Sequence, residues 1–372
     1  MKKIRVAVIF GGRSGEHEVS IMSARSVLAH LDPQRYEVVP LAISRAGRWL
    51  PPVAARAALE AGVAESDSAG LTLSPGSGGQ ALVPAQASEE PVETIDVVFP
   101  VLHGPYGEDG TIQGLLEMTG LPYVGAGVLS SAVGMDKAIM KAIWQSAGLP
   151  LLPSTELLRS RWQLERETIL TELEQMPGLT CFVKPCNLGS SVGISKARDR
   201  QELARAIDLA CRFDRKILIE KAVENPREIE LAVLGNDFPE VSVPGEIIHG
   251  QDFYDYESKY FKTDGQVTQI PADLPADTVQ ELQQLALRAY RALDLSGLSR
   301  VDFLMDAEGR VYLNEVNTLP GFTPISMYPR LWEASGLPYP QLLDRLIELA
   351  LERFQDREAN QSRPILSSTT PS

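Results

Sequence analysis

Cysteine is scarce: Cys181, Cys186 and Cys211 are the only three in 372 residues. They form no Cys-x-x-Cys pair and cannot all be bridged within one chain, which argues against a disulfide scaffold and for a reducing compartment. An excess of positive charge is missing too. Lys plus Arg number 35 against 49 Asp plus Glu, and the balance of −14 argues against nucleic acid or an anionic membrane as partner. No stretch approaches the roughly 20 apolar residues of a membrane span. After the Met-Lys-Lys start the apolar run covers only residues 6–10, too short for the core of a signal peptide. The chain is expected to be cytoplasmic and to fold as about two or three domains.

What is present is an alternation of strands and helices. Residues 4–10 read as a buried strand that passes through the glycine-rich loop 11–15 into a helix over 16–28. Such a loop is a dinucleotide-binding signal, but the next strand, 38–43, ends in Ser44 and Arg45 with no acid to hold a ribose. The loop is therefore expected to present Glu16 and backbone N–H groups to a small ligand. Residues 54–91, rich in Ala, Gly, Ser and Pro, read as a surface insertion with one short strand pair. Strand 95–102, helix 111–119 and a short strand 121–124 complete an open parallel α/β domain over residues 1–125. His103, beside glycines, reads by itself as a turn or capping residue. A single helix over 130–147 follows, and on it Lys137 taken alone is a solvated side chain.

Strand 181–185 carries Lys184 and leads into a loop with Asn187, Gly189, Ser190, Ser191 and Gly193. Such a loop can fold N–H groups and hydroxyls round phosphates beside the Lys184 charge; an ordinary β-hairpin is the alternative. It is not a Walker A loop, because no Gly-Lys-Ser/Thr follows the glycines. Strand 217–221 ends in Glu220 and Lys221, and the period of two over 228–234 puts Glu228 and Glu230 on one face. That face fits an adenine and ribose site or plain solvent. Residues 253–260 gather Phe253, Tyr254, Tyr256, Lys259 and Tyr260 with no period, which marks a functional loop. Val279, Leu282, Leu285, Ala286, Ala289 and Leu293 form a helical stripe behind an Asp277 cap.

That stripe is expected to pack under a hairpin of strands 301–305 and 311–316 joined by loop 306–309. With that loop Asp302 lies opposite Leu313, so Asp302, Leu313, Glu315 and Asn317 share a face. Two carboxylates so close need a cation between them, and an all-oxygen set suits Mg²⁺. Taken alone, the pattern equally fits a solvated hairpin with scattered acids. Arg300 and the turn 317–321 add charge and free N–H groups beside the acids. Helices near 331 and over 340–354 follow, and the polar tail from about 357 is expected to be disordered.

In chain order stand Gly-Gly-Arg-Ser-Gly-Glu ending at Glu16, His-Gly-x-x-Gly-Glu-Asp-Gly from His103, Met-Asp-Lys ending at Lys137, and Val-Lys-Pro around Lys184 with Gly-Ser-Ser-Val-Gly from Gly189. Tyr-Asp-Tyr-Glu-x-Lys-Tyr ending at Tyr260, Arg-Val-Asp from Arg300 and Asn-Glu-Val-Asn-Thr-x-Pro-Gly from Asn314 complete the set. Together, over residues 4–350, they resemble the D-alanine:D-alanine ligases of the ATP-grasp superfamily. The resemblance implies an N-terminal open parallel α/β domain followed by two α+β domains that sandwich ATP, at 126–228 and 229–356. It implies ATP-dependent ligation of two D-alanines through a D-alanyl phosphate, for peptidoglycan precursors.

By motif position it implies Lys137, Lys184 and Ser191 at the ATP phosphates, and Glu220, Lys221, Val223 and Glu228 round the adenine and ribose. Phe253, Lys259, Phe303 and Asn314 join the ATP site. Mg²⁺ or Mn²⁺ falls on Asp302, Glu315 and Asn317, with a monovalent cation left unplaced. Glu16 is assigned to the first substrate's ammonium, with His103 beside it. Ser326 and the Met327 backbone take the second carboxylate, and Arg300 with Gly321 stabilises the oxyanion. Ser190, Tyr260 and Glu16 form a set that shuts the loops over the site. Relatives that make D-alanyl-D-lactate commonly carry His or Phe at the place of Tyr260, which favours a second D-alanine here. A homodimer is also implied. The competing readings are a D-lactate or D-serine ligase, and a non-catalytic ATP-grasp module.

Overall fold

The computed structural model describes residues 2–65, 70–73, 76, 82–84, 94–249 and 266–360, and their strands form three sheets. The first contains β1 (Ile4–Gly11), β2 (Tyr36–Ile43), β3 (Trp49–Leu50), β4 (Leu71–Leu73), β5 (Leu82–Pro84) and β6 (Val97–Pro100). Their order is β5-β4-β3-β2-β1-β6, and β1 runs parallel to both β2 and β6. Val6 through Gly11 are wholly buried, as a central parallel strand demands. The expected open parallel sheet is thus half of this one, because β3, β4 and β5 extend it antiparallel. The part of 54–91 that is described supplies the pair β4/β5 and most of helix Pro52–Ala61. The strand expected over 121–124 is a single bridge between Val98 and Tyr123.

The second sheet is antiparallel: β7 (Ser154–Leu158), β8 (Cys181–Pro185), β9 (Ser195–Ala197) and β10 (Lys216–Lys221), in order β7-β10-β8-β9. Helices Arg159–Leu173 and Arg200–Ala210 close a core of its own, in which Trp162, Leu170, Leu203 and Ile207 meet Val183, Ile217 and Ile219. Alternation along the strands then turns Phe182, Lys184, Leu218 and Glu220 to the other face.

The third sheet holds β11 (Arg227–Gly235), β12 (Glu240–Val241), β13 (Gly245–His249), β14 (Gln266–Gln269), β15 (Gly297–Met305) and β16 (Val311–Asn317). It runs β14-β13-β11-β15-β16, with β12 off β11. Helix Ala276–Ala292 packs beneath it as expected, with Leu282, Leu285, Ala286 and Ala289 against Ile229, Leu231, Val301 and Phe303. Its N-cap is Pro275 rather than Asp277, which sits in the first turn and complements the helix dipole there. The division expected at 228/229 falls inside β11; the crossing between sheets two and three is residues 222–226.

The single helix expected over 130–147 is two. Asp136 is extended, and its carboxylate accepts from the Ile139 N–H at 3.1 Å, so Val128–Met135 ends and Lys137–Ser146 begins at that cap. Trp144 of the second helix is fully buried and donates its Nε1–H to Ala289 O at 3.1 Å, so this helix packs into the third sheet's core. Only Ala138 meets the second sheet in an apolar cluster, with Cys186 and Leu218. Helix Tyr339–Ala359 continues past 357, where a tail was expected; residues 361–372 lie outside the described residues. Its Leu342, Leu343, Leu346 and Ile347 share one core with Val6, Phe10, Val97 and Phe99 of the first sheet. No helix among the described residues is long and apolar enough to cross a membrane.

Candidate active site

The hairpin β15/β16 differs from the expected register by one residue. Met305 pairs with Val311 and Phe303 with Leu313, but Asp302 pairs with Glu315. Asn314 is the extra residue of a β-bulge, and the bulge flips the parity of the faces. Leu313 joins Phe303 in the core, while Asn314, Glu315 and Asn317 turn toward Asp302. Phe303, expected at the ATP, is therefore a core residue at 1% exposure. Its neighbour Leu304, across from Glu228, shares the face of Asp302 instead.

Arg300 forks onto Asp302, with Nε 2.8 Å from Oδ1 and Nη2 2.7 Å from Oδ2, and its Nε is also 3.0 Å from Glu230 on β11. Lys137 Nζ lies 3.3 Å from Glu315 Oε2 and donates to Leu188 O at 2.7 Å. Among the described residues the Asn317 Oδ1 atom is buried with no hydrogen-bond partner. A divalent ion fits this set: two carboxylates in direct cross-strand register and an amide oxygen in need of a partner. Among the described residues no group of three or more His, Cys, Asp and Glu side chains could hold a metal ion.

Lys184 reaches Glu220 Oε2 at 2.7 Å and Asn314 Oδ1 at 3.2 Å, and thereby spans the second and third sheets. Burial pulls its pKa down, but the Glu220 carboxylate with the added charges of Glu315 and Glu228 together outweigh burial and raise it. The other oxygen of Glu220 faces Lys141 Nζ at 2.6 Å. The Glu220 carboxylate is thus held between two ammonium groups, which leaves its main chain for any adenine. Lys221 at the strand end is exposed, and Val223 and Glu228 are half-buried. Phe182, opposite Glu220 in register and on the Lys184 face, is a cleft residue that the motif reading did not single out.

From the first sheet, Glu16 is buried at 8% exposure between two glycines: a Cβ on Gly104 would lie 2.7 Å from its Oε2, and one on Gly189 3.5 Å. Ser190, at a positive φ of 52°, donates its hydroxyl to Glu16 Oε1. His103 is enclosed, with Nδ1 3.0 Å from Leu319 O and Nε2 3.1 Å from Ser23 Oγ. A carbonyl only accepts, so Nδ1 carries the proton and Nε2 accepts from Ser23, which in turn accepts from the Phe322 N–H. Burial lowers the His103 pKa and keeps the ring neutral. Glu108, not singled out from the sequence, accepts from Gly104 N at 2.6 Å and Leu319 N at 3.2 Å. Burial, and then the nearby Glu16 charge, push its pKa up to about 8. His103 and Glu108 together pin the turn after β16 to the first sheet.

That turn ends at helix Met327–Ala334, whose N-cap is Ser326. Ser326 Oγ accepts from Thr323 N at 3.0 Å, and a Cβ on Gly321 would lie 2.8 Å from it. Met327 buries its side chain in the shared core and offers the site only its backbone. Phe253, Lys259 and Tyr260 lie outside the described residues. The structure brings together Glu16 and Ser190 on one side, and Lys137, Lys184, Arg300, Asp302, Asn314, Glu315 and Asn317 on the other.

Two family models match the chain, described as D-ala D-ala ligase N-terminus over residues 5–126 and D-ala D-ala ligase C-terminus over residues 143–348. The D-alanine–D-alanine ligase of Heliobacterium modesticaldum is 51% identical, covering 97% of this chain and 98% of that protein. That of Geobacillus thermodenitrificans is 48% identical, with 96% and 98% covered. Among solved structures, the D-alanine-D-alanine ligase of Coxiella burnetii aligns with a TM-score of 0.81 at 36% identity, over 96% of this chain and 97% of that one. The VanG D-Ala:D-Ser ligase of Enterococcus faecalis aligns with a TM-score of 0.82 at 35% identity, over 94% and 100%.

Proposed function

The chain belongs to the D-ala D-ala ligase family, and on that premise we propose that it joins two D-alanines into D-alanyl-D-alanine, converting ATP to ADP and phosphate. The observation that carries this reading is the cross-strand pair Asp302 and Glu315, ringed by Lys137, Lys184 and Arg300. The γ-phosphoryl group lies over this pair, with Lys137 and Lys184 offsetting its charge from the central side. Asp302, Glu315 and Asn317 hold Mg²⁺ or Mn²⁺, which supplies further charge neutralisation to the transferring group. The ammonium of the first D-alanine sits at the Glu16 carboxylate, so that its own carboxylate faces the γ-phosphorus. Attack there gives D-alanyl phosphate and ADP.

The second D-alanine binds by its carboxylate at Ser326 and the N-terminus of helix Met327–Ala334, where free backbone N–H groups favour an anion. Its amine attacks the acyl phosphate, and Arg300 with the Gly321 N–H stabilises the tetrahedral oxyanion before phosphate leaves. The Ser190 to Glu16 hydrogen bond draws the glycine-serine loop over the first substrate and excludes water, which would hydrolyse the acyl phosphate. Tyr260 completes that closure. The dipeptide serves peptidoglycan precursor synthesis in the cytoplasm, and the enzyme acts as a homodimer, as light scattering would establish. A K⁺ titration tests the monovalent cation that the family resemblance implies.

The test is incubation with ATP, Mg²⁺ and D-alanine, with D-serine and D-lactate in competition, product masses and phosphate release being measured. D-alanyl-D-alanine formed one-for-one with phosphate supports the reading. A dominant mixed product moves the chain to the D-serine or D-lactate class, and ATP binding without turnover makes it a binding module.

A further inference from the structure

Lys141 belongs to none of the sequence motifs. It lies four residues after Lys137 on helix Lys137–Ser146, so the two side chains leave the same helix face. Its ammonium is almost wholly enclosed: the side chain is 5% exposed, beside a Glu220 side chain at 2%. Nζ lies 2.6 Å from Glu220 Oε1 and 3.3 Å from Leu313 O on β16. Glu220 Oε2 is 2.7 Å from Lys184 Nζ, which is itself 3.2 Å from Asn314 Oδ1. Three charged groups from a helix, β10 and β8 therefore form one buried cluster that also grips the bulge of the metal hairpin.

The charge count of that cluster matters. A buried ammonium is tolerated when a carboxylate compensates it, but Lys184 paired with Glu220 alone would make a neutral pair with little attraction left for a polyphosphate. With Lys141 on the other carboxylate oxygen, two cations share one anion and the cluster keeps a net charge of about +1 on the cleft side. We propose that Lys141 is a positioning residue for ATP: it shares Glu220 so that Lys184 keeps its charge for the phosphates, and it anchors that arrangement to β16 through Leu313 O. This rests on the assignment of Lys184 to ATP made above.

The test is steady-state kinetics on Lys141→Met, Lys141→Gln, Lys141→Arg and the double variant Lys141→Met/Glu220→Gln, with KM for ATP and for D-alanine measured separately. Lys141→Met and Lys141→Gln raise the KM for ATP about tenfold or more and leave that for D-alanine unchanged, whereas Lys141→Arg restores most of the loss. In the double variant the charge count returns to that of Lys184 alone, so ATP affinity recovers relative to Lys141→Met. Should the Met variant not fold, the Gln variant and its double with Glu220→Gln carry the same comparison. An unchanged KM for ATP in the neutral variants, or a double variant as weak as the single, overturns the proposal. Lys184→Met is run beside them; if its KM for ATP is unchanged, the ATP-site assignment fails and this inference falls with it.

Discussion

The second sheet and the body formed by the first and third sheets are held together in different ways. The second has its own core, drawn entirely from residues between Leu157 and Ile219. The first and third share one, since Leu342, Leu346 and Ile347 near the C-terminal end pack with Val6, Phe10 and Phe99 of the first sheet and with Ala232 and Leu298 of the third. Between the two bodies, among the described residues, the buried apolar contact is the small cluster of Ala138, Cys186 and Leu218. What remains is polar: Lys184 to Asn314, Lys141 to Glu220, Lys137 to Leu188 O and Ser190 to Glu16. Apolar packing makes one frame of two sheets, and charged and polar groups link the second sheet to it. A cleft joined in this way can close round a ligand with little loss of packed surface.

The largest effect that separates the two bodies should come from Leu346→Ala. Losing a fully buried leucine in the shared core costs about 2–5 kcal/mol of unfolding free energy. Hydrogen exchange should then rise in β1, β6 and β11 together while β8 and β10 stay protected. Equal loss of protection in all three sheets would mean that the bodies unfold as one. Lys184→Met should do the reverse, lowering kcat/KM in a phosphate-release assay by roughly 10²–10³-fold with the exchange pattern unchanged.

A subtler effect concerns Glu108, which fastens the turn after β16 to the first sheet. Unfolded, it ionises near 4.5; folded, near 8. Its folded pKa is raised, so its contribution to stability is full below pH 4.5 and is lost as pH rises through about 8. The melting temperature of the wild type should fall more steeply over that window than that of Glu108→Gln, and identical slopes would remove Glu108 as the cause. The smallest effect belongs to the exposed ion pair of Arg345 with Glu352, 2.8 Å apart on the C-terminal helix. Arg345→Ala should cost about 0.2–1 kcal/mol in chemical denaturation and leave turnover unchanged.

Much of this arrangement was legible in the sequence. The strands ending in Lys184 and Glu220, the stripe of helix Ala276–Ala292 and the acids of the hairpin all carry a period or a terminal charge. What was not legible depends on single residues. One bulged residue, Asn314, turns Leu313 into the core and itself joins Asp302, Glu315 and Asn317 on the face they were expected to share, and no composition signal marks it. The break at Asp136 is an ordinary cap inside an otherwise continuous helical pattern. Lys141 escaped because a lysine four places after a motif lysine looks like a solvated helix face. Its partner, Glu220, is brought to it only by the tertiary fold.

The account stands most directly on the claim that one site is built from both bodies, with Glu16 and Ser190 meeting across the cleft. A double-mutant cycle of Glu16→Gln and Ser190→Ala, read in kcat/KM for D-alanine, measures that meeting. The account predicts a coupling of about 0.5–3 kcal/mol, the double variant losing less than the sum of the singles. Strictly additive losses would contradict it, since the two residues would then act on the reaction from separate places.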